Sequence, residues 1–98
     1  MSREGARSRE ESQPPRSMKA VLSDRALIAI ADASLPVRKA FHKQLAFLER
    51  DLRHPSLQAK KFDESAGIWQ ARVNLDWRFY FTIEGDTYEI LKVIPHPK

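Results

Sequence analysis

The stripe Val37, Phe41, Leu45, Leu48 and Leu52 constrains this chain more than any other feature. Its steps of four, four, three and four residues put all five side chains on one side of an α-helix. Arg38, Lys39, His42, Lys43, Glu49, Arg50 and Arg53 fall outside the stripe. Such a helix is held mainly by whatever covers its apolar side, so the chain must supply a cover. Ser34 is the candidate N-cap, and Pro36 fits the first turn, where a missing N–H costs nothing. His54-Pro55 is expected to end the helix, because the residue before proline avoids the helical region.

The cover is legible downstream, where the apolar period switches to two. Ile68–Val73, Trp77–Ile83 and Tyr88–Ile94 read as strands, with a turn at Asn74-Leu75-Asp76 between the first two. "EGDT" at 84–87 reads as a hairpin turn in which Gly85 is free to take positive φ. Upstream, Lys19–Leu22 reads as a short edge strand. Ser23 or Asp24 caps a short helix over Arg25–Asp32, with Leu27, Ile28 and Ala31 on one side. Residues 56–67 read as a loop anchored to the core by Leu57 and Phe62. The expectation is an α+β fold: a short N-terminal strand, two helices, then a three-stranded antiparallel meander, the helices on one face.

Residues 1–17, "MSREGARSREESQPPRS", hold no large apolar residue after Met1 and are expected to be a disordered tail ahead of a single domain at 18–98. The chain has no cysteine, which removes disulfides and thiolate chemistry. No apolar run approaches the roughly 20 residues that span a bilayer, and no apolar stretch marks a secretory signal. A cytoplasmic protein is therefore expected. The net charge is +4, and it is uneven. Between Arg38 and Lys61, seven Lys and Arg face Glu49 and Asp51, a local balance of +5. That stripe suits a polyanion or an acidic protein, and equally a solvated helix face.

Alternation assigns the strand side chains to two faces. Trp77, Phe79, Phe81 and Ile83 share one, with Trp69, Ala71, Val73, Leu91 and Val93; these are the expected partners of the helix stripe. Arg72, Arg78, Tyr80 and Lys92 then converge on the open face. Three cations and a phenol on a rigid sheet suit a phosphate group, although the same charges also keep a sheet soluble. Of the histidines, His42 reads as solvated, His54 as lying at a helix end, and His96 as lying near the rim of the cationic face. A histidine there can exchange protons near neutral pH. There is no metal-ligand spacing and no phosphate-cradling glycine loop, so no metal and no cofactor are expected.

The run "FHKQLAFLERDLRHPSLQAKKF", then "IWQARVN", "DWRFYFTI" and "YEILKVIPH", resembles the RelE/ParE superfamily of bacterial toxins over about residues 19–96. The resemblance implies a compact sheet with two N-terminal helices packed on it. It also implies a toxin of a type II toxin–antitoxin system, wrapped and inhibited by a cognate antitoxin protein. Many members are ribosome-dependent endoribonucleases, and others inhibit DNA gyrase. The Asp-Trp pair and the late histidine look more like the YafQ-type ribonucleases. By that likeness Arg72, Asp76, Trp77, Lys92 and His96 occupy active-surface positions. Arg78 matches the strand arginine of the RelE-type pattern, and His54 a loop histidine of the YafQ type.

The activity this implies is metal-independent cleavage of mRNA on the ribosome, with the ribose 2′-OH attacking the adjacent phosphorus. Arg72, Arg78 and Lys92 are the candidates for charge stabilisation. His96 is the candidate general acid or base, and Asp76 is the other proton carrier or orients a neighbour. His54, Lys60, Lys61, Tyr80 and Trp77 are the candidate RNA contacts, Tyr80 or Trp77 by stacking on a base. The alternative is a non-catalytic interaction module of the same fold, binding gyrase or an antitoxin.

Overall fold

The computed structural model describes residues 18–96; the expected tail at 1–17 lies outside them. In chain order the elements are β1 (Lys19–Leu22), α1 (Asp24–Asp32), α2 (Leu35–Arg50), β2 (Lys60–Asp63), β3 (Ile68–Arg72), β4 (Trp77–Glu84) and β5 (Thr87–Pro95). The strands form one five-stranded sheet in the order β1-β5-β4-β3-β2. β1 lies parallel to β5, and every other pair is antiparallel. The α+β reading holds, with one more strand than expected. β2 lies inside the expected loop. Its sequence KKFD is exposed at three of four positions and its register slips between Lys61 and Asp63. An edge strand with neither face covered has no reason to alternate, so it carries no strand signature.

The helices begin as the sequence suggests, but α1 buries a different face from the one expected. Ser23 accepts from the Ala26 N–H at 3.0 Å and caps α1. The same hydroxyl donates to the Leu91 carbonyl at 2.8 Å, pinning the first turn to β5. That tether turns Ala26 and Ile30 inward, and leaves Leu27 and Ile28 at 52% and 70% exposure. Ser34 occupies the N-cap position of α2 without a capping hydrogen bond, and Pro36 sits in the first turn. α2 stops at Arg50, before His54-Pro55, because Asp51 is extended. Leu52 therefore packs against the core from a turn. The helix buries Val37, Phe41, Leu45 and Leu48 as expected, and also Gln44.

The core lies between the helices and one face of the sheet. Phe41 meets Phe79 edge-on at 5.5 Å, and Phe81 meets Tyr88 edge-on at 5.5 Å, the geometry aromatic rings prefer. Burial pushes the Tyr88 phenol up from its ordinary range, and the Asp51 carboxylate pushes the same way.

A bulge in β5 decides which side chains reach each face. Tyr80 pairs with Lys92, but Phe81 pairs with Ile90, so Leu91 is extra. The phase of β5 flips there. Tyr88, Ile90 and Val93 are buried on the core side, and Leu91 is only half-buried, which corrects the expected pattern. Lys92 still lands opposite Tyr80 on the open face. The turn at Gly85-Asp86 has Gly85 at φ 60°, as expected. Among the described residues, no helix is long and apolar enough to cross a membrane.

Candidate functional site

The open face gathers charge at the end of β3 and the start of β4. The register places Arg72 directly opposite Arg78. Cross-strand partners point to the same face a few ångströms apart, and like charges in that position repel. The two guanidiniums line a cavity of about 160 Å³ with Lys60, His96, Gln58, Gln70 and Ala71. The lining holds three permanent cations and a histidine, and no carboxylate.

Each arginine is held by neutral acceptors. Arg72 donates from Nη2 to Gln58 Oε1 at 2.8 Å. Arg78 donates from Nη1 to the carbonyls of Asn74 at 2.8 Å, Trp77 at 3.0 Å and Leu75 at 3.3 Å. The arginine in the middle of an aromatic strand thus caps the carbonyls of the turn before it. Asn74 shapes that turn by accepting from the N–H groups of Asp76 at 2.8 Å and Trp77 at 2.9 Å. The Asp76 carbonyl accepts from the His96 N–H at 2.6 Å, which fastens the end of β5 beside the turn. Neutral tethers hold the cations without cancelling their charge, so the pocket stays positive.

The pocket unites Arg72, Arg78, His96 and Lys60 from among the expected site residues. The others lie elsewhere. Asp76 is exposed on the turn and reaches His96 through its backbone. Lys92 holds its ammonium 4.9 Å over the Tyr80 ring. Tyr80 is 4% exposed, because Phe62 meets its ring edge-on at 4.9 Å and Gln70 donates to its hydroxyl at 2.8 Å. It therefore presents no free face to a base, and Phe62, expected in the core, sits on the open face at 56% exposure. Trp77 turns to the helix face, half-buried, and lines a separate cavity with Ala29, Val37 and Val93, away from the arginine pocket. Lys61 crosses to the core side, 5.3 Å over Trp69.

His54 lines a neighbouring cavity of about 280 Å³ with Arg53, Trp69 and Gln58. Its ring stacks on Phe47 at 3.8 Å, and its Nδ1 accepts from the Ser56 N–H at 3.1 Å. Gln58 and Gln70 escaped the sequence reading. Alternation does put Gln70 on the face of Arg72, so a search of that face for polar side chains finds it. Gln58 has no such signal, because its φ of 46° belongs to an irregular loop. Among the described residues, no group of three or more His, Asp or Glu side chains is placed to hold a metal ion.

No family model and no curated protein matches the sequence. Solved structures do match. The RelE–RelB complex from Pyrococcus horikoshii OT3 is similar at 15% identity and a TM-score of 0.67, covering 83% of this chain and 96% of that one. The YoeB/ParE toxin from Agrobacterium tumefaciens is similar at 15% identity and a TM-score of 0.68, covering 82% of this chain and 100% of that one. The RelBE2 toxin–antitoxin complex from Mycobacterium tuberculosis is similar at 18% identity and a TM-score of 0.66, covering 82% and 99%. Two helices packed on one face of a mixed sheet, in an arrangement that spans nearly the full length of those chains, give this protein the RelE/ParE toxin fold.

Proposed function

We propose that the chain is the toxin of a type II toxin–antitoxin system and cleaves mRNA on the ribosome, in the cytoplasm. The observation that carries this reading is the cross-strand pair Arg72 and Arg78, held by neutral tethers in a carboxylate-free pocket with His96 in its wall. Two like charges opposed across a sheet are unfavourable unless an anion sits between them, and a phosphodiester is such an anion. The toxins of the same fold, several in complexes with RelB or YefM, support the coarser part of the reading and suggest a cognate antitoxin as partner.

In the proposed reaction the ribose 2′-OH attacks phosphorus and the P–O5′ bond breaks, leaving a 2′,3′-cyclic phosphate and a 5′-OH. Arg72 and Arg78 take up the charge that grows on the non-bridging oxygens, with Lys60 as a third, less directional cation. His96 gives a proton to the departing O5′. Asp76, exposed beside it, is the remaining candidate to take the proton from the 2′-OH. Lys92 acts from the Tyr80 ring at the margin of the site. DNA lacks the 2′-OH and is not cut this way.

A second reading, a non-catalytic module that binds an antitoxin or gyrase, is favoured by one observation. Leu27, Ile28 and Leu35 are 52%, 70% and 53% exposed on the helical side. Primer extension on a reporter mRNA in a reconstituted translation reaction separates the two. The nuclease reading expects new 5′ ends that need ribosomes and vanish with His96→Ala, while the variant keeps its thermal midpoint. An unchanged ladder at high protein concentration would leave the interaction module.

A further inference from the structure

Three bonds at Arg72 hold the end of β3, two to the loop before β2 and one to α2. The Arg72 N–H donates to the Leu57 carbonyl at 2.8 Å, and Gln44 Nε2 donates to the Arg72 carbonyl at 2.7 Å. The third is the side-chain bond from the Arg72 guanidinium to Gln58 Oε1 at 2.8 Å. Gln44 is 4% exposed and also binds Ser56 twice, from Nε2 to the carbonyl at 3.0 Å and through Oε1 to the hydroxyl at 2.8 Å. Leu57, fully buried, anchors the same loop in the core. The loop is therefore held from both sides, which is what an unfavourable backbone conformation needs in order to persist.

Gln58 has that conformation. At φ 46° it is the one non-glycine residue with positive φ among the described residues. It also stands where three cavities meet: the pocket of Arg72, Arg78 and His96, the cavity of His54 and Trp69, and a third of about 430 Å³ lined by Lys43 and Asn74. A guanidinium only donates, so the amide atom facing it is the oxygen, and the amide N–H groups remain as donors. The amide is neutral. A carboxylate in its place would hold Arg72 at least as firmly and would cancel its charge.

We infer that Gln58 is a positioning residue that aims the Arg72 guanidinium at a phosphate of single-stranded RNA while leaving its positive charge intact. The inference rests on the reading of this pocket as one that binds RNA phosphates. The backbone holds Gln58 in place, its carbonyl oxygen orients the arginine, and its N–H groups offer a polar rim to whatever enters between the cavities.

Two variants test it. Gln58→Glu keeps the shape and neutralises Arg72. Gln58→Asn suits positive φ better than glutamine but is one methylene too short to keep the bond. The probe is a non-cleavable 2′-O-methyl RNA oligonucleotide, its affinity read by fluorescence anisotropy over a salt series, with the thermal midpoint and mRNA cleavage measured on the same samples. Gln58→Glu is expected to lower affinity about tenfold at low salt and to flatten the log–log salt slope by about 0.7, the loss of one phosphate contact. Gln58→Asn is expected to keep the thermal midpoint and the salt slope while kcat for cleavage falls about fivefold, because the charge remains and only its aim is lost. Equal affinity and slope for wild type and Gln58→Glu would overturn the inference. A wild-type chain that binds the oligonucleotide and cuts nothing would end the nuclease reading and still let the binding arm decide Gln58. A wild-type chain with no affinity for the oligonucleotide would overturn both.

Discussion

The two faces of the sheet are made from the same strands and obey different physics. On the helix side, β4 contributes Phe79 and Phe81, both fully buried, and the neighbouring strands add Ala71, Ile90 and Val93. On the open side the same strand contributes Arg78 and Tyr80, and its neighbours add Arg72, Gln70 and Lys92. Burial holds the first face together. The second is held against mutual repulsion by neutral hydrogen bonds, a ring edge and a turn. One strand can therefore serve stability and function at once, because adjacent residues answer to different neighbours. The two kinds of loss should then separate in mutants.

The largest effect should come from the packed face. Phe79→Ala removes a fully buried ring that touches Phe41 and Phe81, and should cost about 3–5 kcal/mol in urea denaturation. Next is the residue that joins the two faces. Gln44→Ala leaves the carbonyls of Ser56 and Arg72 without a buried donor, and should cost about 1–3 kcal/mol in the same measurement. It should also loosen the Arg72 loop, so RNA affinity should fall with stability. The open face itself should show the opposite sign. Arg72→Gln relieves the repulsion with Arg78, and its stability should hold or rise by about 0.2–1 kcal/mol. Oligonucleotide affinity measured on that sample should fall, with a shallower salt dependence. Equal losses of stability and affinity in Arg72→Gln would break the comparison.

The smallest effect concerns pH and again belongs to the packed face. The Tyr88 phenol is raised in the folded chain, first by burial and then by Asp51. Below its unfolded pKa of about 10 both states are protonated and its contribution is fully present. As the pH rises beyond that point the unfolded chain gives up the proton more readily, so stability falls. Urea midpoints at pH 9 and 11 should show a drop that Tyr88→Phe reduces.

How far the sequence was legible follows the same division. The stripe from Val37 to Leu48 and the alternation of β3 and β4 mark much of what packs, because burial demands a period. The same alternation puts Arg72 and Arg78 on one open face. What escaped was decided by bonds that no period records. The tether from Ser23 to Leu91 selects the buried side of α1, and the bulge at Leu91 reverses β5. The covering of Tyr80 by Phe62 needs β2, an edge strand without a pattern. Trp77 was caught by its own parity, since the residue before Arg78 must face the helices. The positive φ of Gln58 is set by its buried neighbours rather than by its residue type.

The most direct test of the two-face account is a map of backbone and side-chain amide shifts on titration with a non-cleavable single-stranded RNA. The account predicts changes at Gln58, Gln70, Arg72, Arg78 and His96, with Ile30, Leu45 and Trp77 unmoved. Changes centred on Leu27 and Ile28, or along Lys39 and Lys43 with the Arg72 pocket silent, would contradict it.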